Sequence, residues 1–123
     1  MSKITLSYKI FSSSSNEEKE NIRAIKNDNN ITYKLDGIKV NITILNNNIM
    51  IKRESNDMEL NLEFQNNKSI ITSYYTKDLN INIKVETKTK KLVINQNSIL
   101  INYDLYMNDE FSDNFQYELE WRC

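Results

Sequence analysis

The chain has 123 residues with 16 basic and 17 acidic side chains, one Gly, one Cys, no His and no Pro. That length holds one domain with a real core, and the net charge of −1 supplies no general field toward nucleic acid or an anionic membrane. Without His there is no imidazole base or imidazole metal ligand, and a single Gly cannot build a phosphate-cradling or dinucleotide loop, so most enzyme templates fail on inventory.

Taken in chain order, apolar residues recur at every second position, the signature of strands with one buried face. Ile4, Leu6, Tyr8 and Ile10 alternate with Lys3, Thr5, Ser7 and Lys9. The next segment, Ser12 to Lys26, breaks the rhythm: Ser15 and Glu18 match a helical capping box, while the rival reading, preferred here, is a loop followed by a strand over Asn21 to Lys26. A short strand at Ile31–Tyr33 follows, then Ile38 to Ile44, Ile49–Ile51, Met58 to Phe64 and a run between Lys68 and Tyr75. Leu79, Ile81, Ile83 and Val85 are predicted to share one inward face, followed by Leu92–Ile94, Ile99 to Leu105 and Phe115 to Trp121.

Polar clusters separate the runs: Asn27–Asn30, Asp36-Gly37, Asn46–Asn48, Gln65–Asn67, Asn95–Asn97 and Asn108–Glu110. Asn and Asp tolerate the left-handed conformation, so these are tight turns made where Gly is scarce, and connections this short force antiparallel pairing. The 20 asparagines and the mean hydropathy of −0.63 therefore mark turns, and the regular alternation excludes disorder. About eight to ten strands, each with one polar face, must bring their apolar faces together as a sandwich or a barrel. A single all-β domain over residues 1–123, an antiparallel up-and-down β-barrel, is the favoured architecture because closure removes edges that no Pro guards.

The C-terminal half, from Thr76 through Val93 with Ile81-Asn82-Ile83-Lys84-Val85-Glu86-Thr87-Lys88-Thr89-Lys90-Lys91-Leu92, then Ser98 to Leu105 closing on Tyr103-Asp104, then Glu118-Leu119-Glu120-Trp121, resembles the YwiB-like family of small bacterial proteins. The resemblance covers roughly the last fifty residues, and the first strand is compatible with it. It implies a calycin-like, lipocalin-like barrel and supplies no catalytic residue.

Fold analogy makes a small amphipathic or apolar ligand inside the barrel the leading expectation. On parity Arg53, Tyr103 and Tyr117 point inward, and a guanidinium with phenols at the mouth suits a carboxylate or phosphate on a ligand whose body lies inside. The plainer reading sends Arg53 past the rim into solvent and leaves the tyrosines, with Trp121 as a plug, to fill the core. A protein-interaction role or a homodimer through outward Ile71, Tyr75, Tyr106 and Phe111 is the alternative. Single-stranded nucleic acid along Lys77, Lys84, Lys88 and Lys90 ranks behind, since Glu86 interrupts the stripe and no aromatics are evident beside it. The carboxylates Asp109, Glu110 and Asp113 match no calcium loop, the outward Asp104, Glu118 and Glu120 have nothing to raise a pKa, and Cys123 lacks an activating partner. The expectation is a non-enzymatic binding module without cofactor or metal. The alternating N-terminus and lone thiol point to the cytoplasm, with no membrane partner.

Overall fold

The computed structural model describes residues 1–123 and contains ten strands and no helix. In chain order they are β1 (Ser2–Phe11), β2 (Asn16–Asn27), β3 (Asn30–Leu35), β4 (Ile38–Ile44), β5 (Asn48–Glu54), β6 (Met58–Gln65), β7 (Ser69–Thr76), β8 (Ile81–Ile94), β9 (Ser98–Met107) and β10 (Glu110–Arg122). Each pairs antiparallel with its sequence neighbour, and β1 pairs with β10 from Thr5↔Arg122 to Phe11↔Gln116, which closes the ring. The expected up-and-down antiparallel barrel is thus the observed one.

The turns work as the composition requires. Positive φ occurs at Asn21, Asp28, Asp36, Asn67, Asn80, Asn108 and Asp109, and at one glycine, Gly37. Asp36-Gly37 and Asn108-Asp109 each place two consecutive residues at positive φ, the backbone of a two-residue hairpin whose twist matches its strands. Short polar side chains bear this conformation at less cost than any other non-glycine residue.

Three elements differ from the sequence reading. The Ser15/Glu18 capping box starts no helix: Ser12–Ser15 is a turn, with Ser12 N donating to Ser15 O at 2.8 Å, and β2 runs the full length from Asn16. Pairing with β1 outweighs the local helical signal. Leu79 is not an inward strand residue but a turn residue, 70% exposed, and Ile81 starts β8 half-exposed. The runs ending at Val85 and starting at Leu92 are one strand, kept continuous by a bulge between Thr89 and Lys91.

Two ladders in the ring are short. β2 meets β3 only through Ile25–Asn27, and β6 meets β7 only through Met58–Leu60. These two short seams are the corners of the ring, with β3 to β6 on one side of them and β7 to β10 with β1 and β2 on the other. At the β6/β7 corner, side chains replace the missing ladder: the Thr72 hydroxyl donates to the Asn61 carbonyl and the Thr87 hydroxyl to the Glu63 carbonyl, while Asn67 N reaches Thr89 O at 3.0 Å.

Inside the ring lies one core. Leu6, Ile31, Ile42, Ile49, Phe64 and Ile101 are fully buried, and Trp121 packs at the end of β10 with its main-chain N–H on Asn97 O at 3.0 Å. A fully buried Leu, Ile or Phe contributes about 1.5–3 kcal/mol by leaving water, so this core carries the stability of the barrel.

Candidate functional site

The end of the barrel where β1 finishes and β5 finishes is filled differently from the Trp121 end. Alternation along β5 turns Ile49, Ile51 and Arg53 inward, and Arg53 stands opposite Val40 of β4 and Leu60 of β6. Across the core, the same alternation brings Tyr8 from β1, Tyr33 from β3, Tyr103 from β9 and Tyr117 from β10, all buried. Tyr8 stacks between Tyr33 and Tyr117 with ring centroids 6.4 and 6.1 Å away, and Tyr103 sits 4.6 Å from Phe64 and 5.5 Å from Phe115.

These five polar side chains, with Ile10, Val40, Ile51 and Leu62, enclose a cavity of about 40 Å³. Arg53, Tyr103 and Tyr117, the residues chosen from the sequence, thus meet at one site. Arg53 does not pass into solvent: it is part-buried and its Nε is buried without a hydrogen-bond partner. No carboxylate lies within 4.0 Å of its guanidinium, since the ion pairs of the protein are all made by lysines. A buried polar donor normally has a partner, so the Nε of this part-buried side chain is unusual.

Burial pushes the Tyr8 phenol up to about 12, helped by the nearby Glu17 carboxylate. Burial likewise raises Tyr33, Tyr103 and Tyr117, Tyr117 further through its neighbour Tyr33. All four are neutral at pH 7; Tyr8 is engaged by Glu17 and Tyr117 by Tyr33, which leaves the Tyr33 and Tyr103 hydroxyls to donate. Donors of one guanidinium and two phenols converging on a small space suit an oxyanion.

The volume corrects one expectation. A water takes about 30 Å³ of liquid volume and a drug-sized pocket about 300 Å³ or more, so 40 Å³ admits a water or an anionic head but no ligand body. The aromatic rings that line the site also fill it. The inward but only half-buried Ile10, Leu35, Leu105 and Phe115 lie toward the adjoining barrel end.

Tyr8 and Tyr33 are legible as inward strand residues, but their place beside Arg53 depends on register: Tyr33 stands opposite Val40, which stands opposite Arg53, and Tyr8 comes from β1. Glu17, a loop residue on the sequence reading, lies instead in β2 opposite Ile10, which puts it on the same face as Tyr8.

The remaining candidates are used in other ways. Asp113 is no cation ligand: it is buried and accepts from the Ser13 and Ser14 hydroxyls at 2.8 and 3.0 Å, tying the β1–β2 turn to β10. These bonds and the Asn114 N–H hold its carboxyl well below the usual carboxylate range. No group of three or more Cys, Asp or Glu converges to hold a metal ion. Lys84 pairs with Asp109 at 2.7 Å, Lys90 with Asp104 at 3.2 Å, and Lys88 lies 4.6 Å above the Tyr106 ring. Tyr106 meets Phe111 edge to face, so aromatics do adjoin the lysine stripe, which the sequence did not reveal; the stripe's charge is largely neutralised by its own acids. Cys123 is exposed.

A family model described as a domain of unknown function matches residues 12–119. Among solved structures, the crystal structure of the ywiB protein from Bacillus subtilis is similar to this chain with a TM-score of 0.58 at 14% identity, over 98% of this chain and 91% of that one. At that identity the likeness concerns the fold. No curated protein matches the chain, and no helix is long and apolar enough to cross a membrane.

Proposed function

Because the chain belongs to the DUF1934 family, the YwiB-like barrels of unknown function, we propose its role from the site alone: a non-enzymatic cytoplasmic module that binds a small ligand by its oxyanion head. The observation that carries this is Arg53, a cation with a buried, unpartnered Nε facing neutral phenols and no carboxylate within 4.0 Å. Folding has buried one donor of a cation without supplying its partner, and a bound carboxylate or phosphate supplies it. The ligand body then rests outside the packed interior, over Ile10, Leu35 and Phe115, which an amphipathic molecule covers. No imidazole stands by to do chemistry on it.

The test is titration of the full chain with inorganic phosphate and with octanoate, followed by calorimetry and tyrosine fluorescence. Saturable binding of either that is lost in Arg53→Met supports the proposal. Absence of binding by both at millimolar concentration, or unchanged binding in Arg53→Met, refutes it.

A further inference from the structure

The outer face of β7 to β10 breaks the polar-out rule in one place. The register sets Ile71, Glu86, Tyr106 and Phe111 in a single row across these strands, on the side away from the core. Ile71 is 60% and Phe111 56% exposed, one at each end of the row. Tyr106 meets Phe111 edge to face at 5.6 Å between centroids, and Lys88 lies over the Tyr106 ring. In the row on one side Lys88 stands opposite Asp104, which Lys90 already holds at 3.2 Å. On the other side Lys84 reaches Asp109 at 2.7 Å. None of these residues lines the Arg53 cavity.

The rows are self-complementary. A second copy laid face to face on this sheet, about a twofold axis that runs along the strands between β8 and β9, sets β8 over β9 and β7 over β10 while every row stays level. Each residue then faces its own row partner from the other copy: Ile71 faces Phe111, Glu86 faces the Tyr106 phenol, Lys88 faces Asp104 and Lys84 faces Asp109. Both exposed apolar ends are covered at once and no like charges meet. The twist of packed sheets crosses them at about 30°, which leaves the pairs near the axis in contact. The other twofold arrangement, with its axis across the strands, lays β8 on β8, so that Glu86 meets Glu86 and Lys84 meets Lys88, and like-charge repulsion opposes it. An isologous interface requires a patch to be its own complement, and this one is.

We infer that the outer face of β7 to β10 is an interface for a second copy of this chain, formed about a twofold axis parallel to β8 and β9. The two contacts of Ile71 on Phe111 anchor it. The aspartates already paired within each face gain a second lysine from the other copy, which fixes the register more than it adds affinity. The face is only about 15–20 Å wide at the usual strand spacing, so the dimer is reversible. It is separate from Arg53 and stands or falls without it.

Sedimentation velocity of the full chain between about 10 µM and 1 mM is expected to show a reversible monomer–dimer equilibrium. Ile71→Lys sets lysine against Phe111, and Phe111→Asp sets aspartate against Ile71; each is expected to weaken self-association by about tenfold or more. Mixed in equal amounts, the two variants are expected to associate with each other, because that combination restores one Ile71–Phe111 contact and adds one lysine–aspartate contact. Both positions are exposed strand residues, and near-ultraviolet circular dichroism checks that the barrel is intact. Arg53→Met is expected to associate like the wild type. A chain that stays monomeric at about 1 mM overturns the inference and leaves the face to a foreign partner. Dimerisation unchanged by Ile71→Lys or Phe111→Asp overturns it as well, as do two variants that stay apart when mixed.

Discussion

Replacing Arg53 by Met separates two explanations of that residue, because they predict opposite signs for stability. Met keeps the flexible stem against Val40 and Leu60 but removes a guanidinium whose Nε is buried and unpartnered. A buried donor left unsatisfied costs about 1–3 kcal/mol, and since Arg53 is only part-buried the lower end, about 1 kcal/mol, is the gain expected on its removal. At about 2.1 cal/mol/K per residue, unfolding the 123 residues carries an entropy near 0.26 kcal/mol/K, so Tm rises by about 4 °C. The wild type should in turn gain from the anion: ligand at a hundred times its Kd adds about 2.7 kcal/mol, roughly 10 °C, whereas the variant gains nothing. Differential scanning calorimetry with and without phosphate or octanoate measures both. A variant destabilised by several kcal/mol in anion-free buffer would refute the reasoning, because it would make Arg53 a structural member of the core.

Phe64→Ala removes a fully buried ring in contact with Tyr103 and should cost about 3–5 kcal/mol in urea unfolding. Thr87→Val leaves the Glu63 carbonyl without its hydroxyl donor and should cost about 1–3 kcal/mol, with faster amide exchange along β6 than in the wild type. Asp113→Asn should lower Tm near neutral pH by loosening the Ser12–Ser15 turn. Because folding depresses this carboxyl, its contribution is present above the ordinary carboxylate pKa, about 4, and fades as pH falls through the folded value, so the two Tm curves should converge in acid. At Asn67, φ +61°, Gly should be tolerated, whereas Val should cost about 1–2 kcal/mol in the same urea assay.

The barrel was legible because its determinants are local. Alternation such as Ile99, Ile101 and Tyr103 states which face is inward, and Asn108-Asp109 states where the chain reverses. Leu79 misled because it keeps the parity of Ile81 while standing in the turn that Asn80 makes; parity does not mark where a strand begins. The candidate site was half legible. The inward direction of Arg53, Tyr103 and Tyr117 follows from period two, but Tyr33 meets Arg53 only through the registers of β3 with β4 and β4 with β5, and Tyr8 joins them only through the closing of β1 on β10. Those are properties of strand register across the whole chain. The short β2/β3 ladder was invisible for the same reason, since no residue of β2 encodes the departure of β3.

The pairing of β1 with β10 has a consequence for the birth of the molecule. Every other ladder joins strands adjacent in sequence and can zip as a hairpin soon after it is made, but Thr5 waits for Arg122. Until the final strand leaves the ribosome, β1 keeps an open flank, and the nascent sheet is exposed to mispairing with other chains throughout synthesis. Eight hairpins can therefore be in place while the protein is still vulnerable, and a truncation within β10 would be far more damaging than the few residues removed suggest.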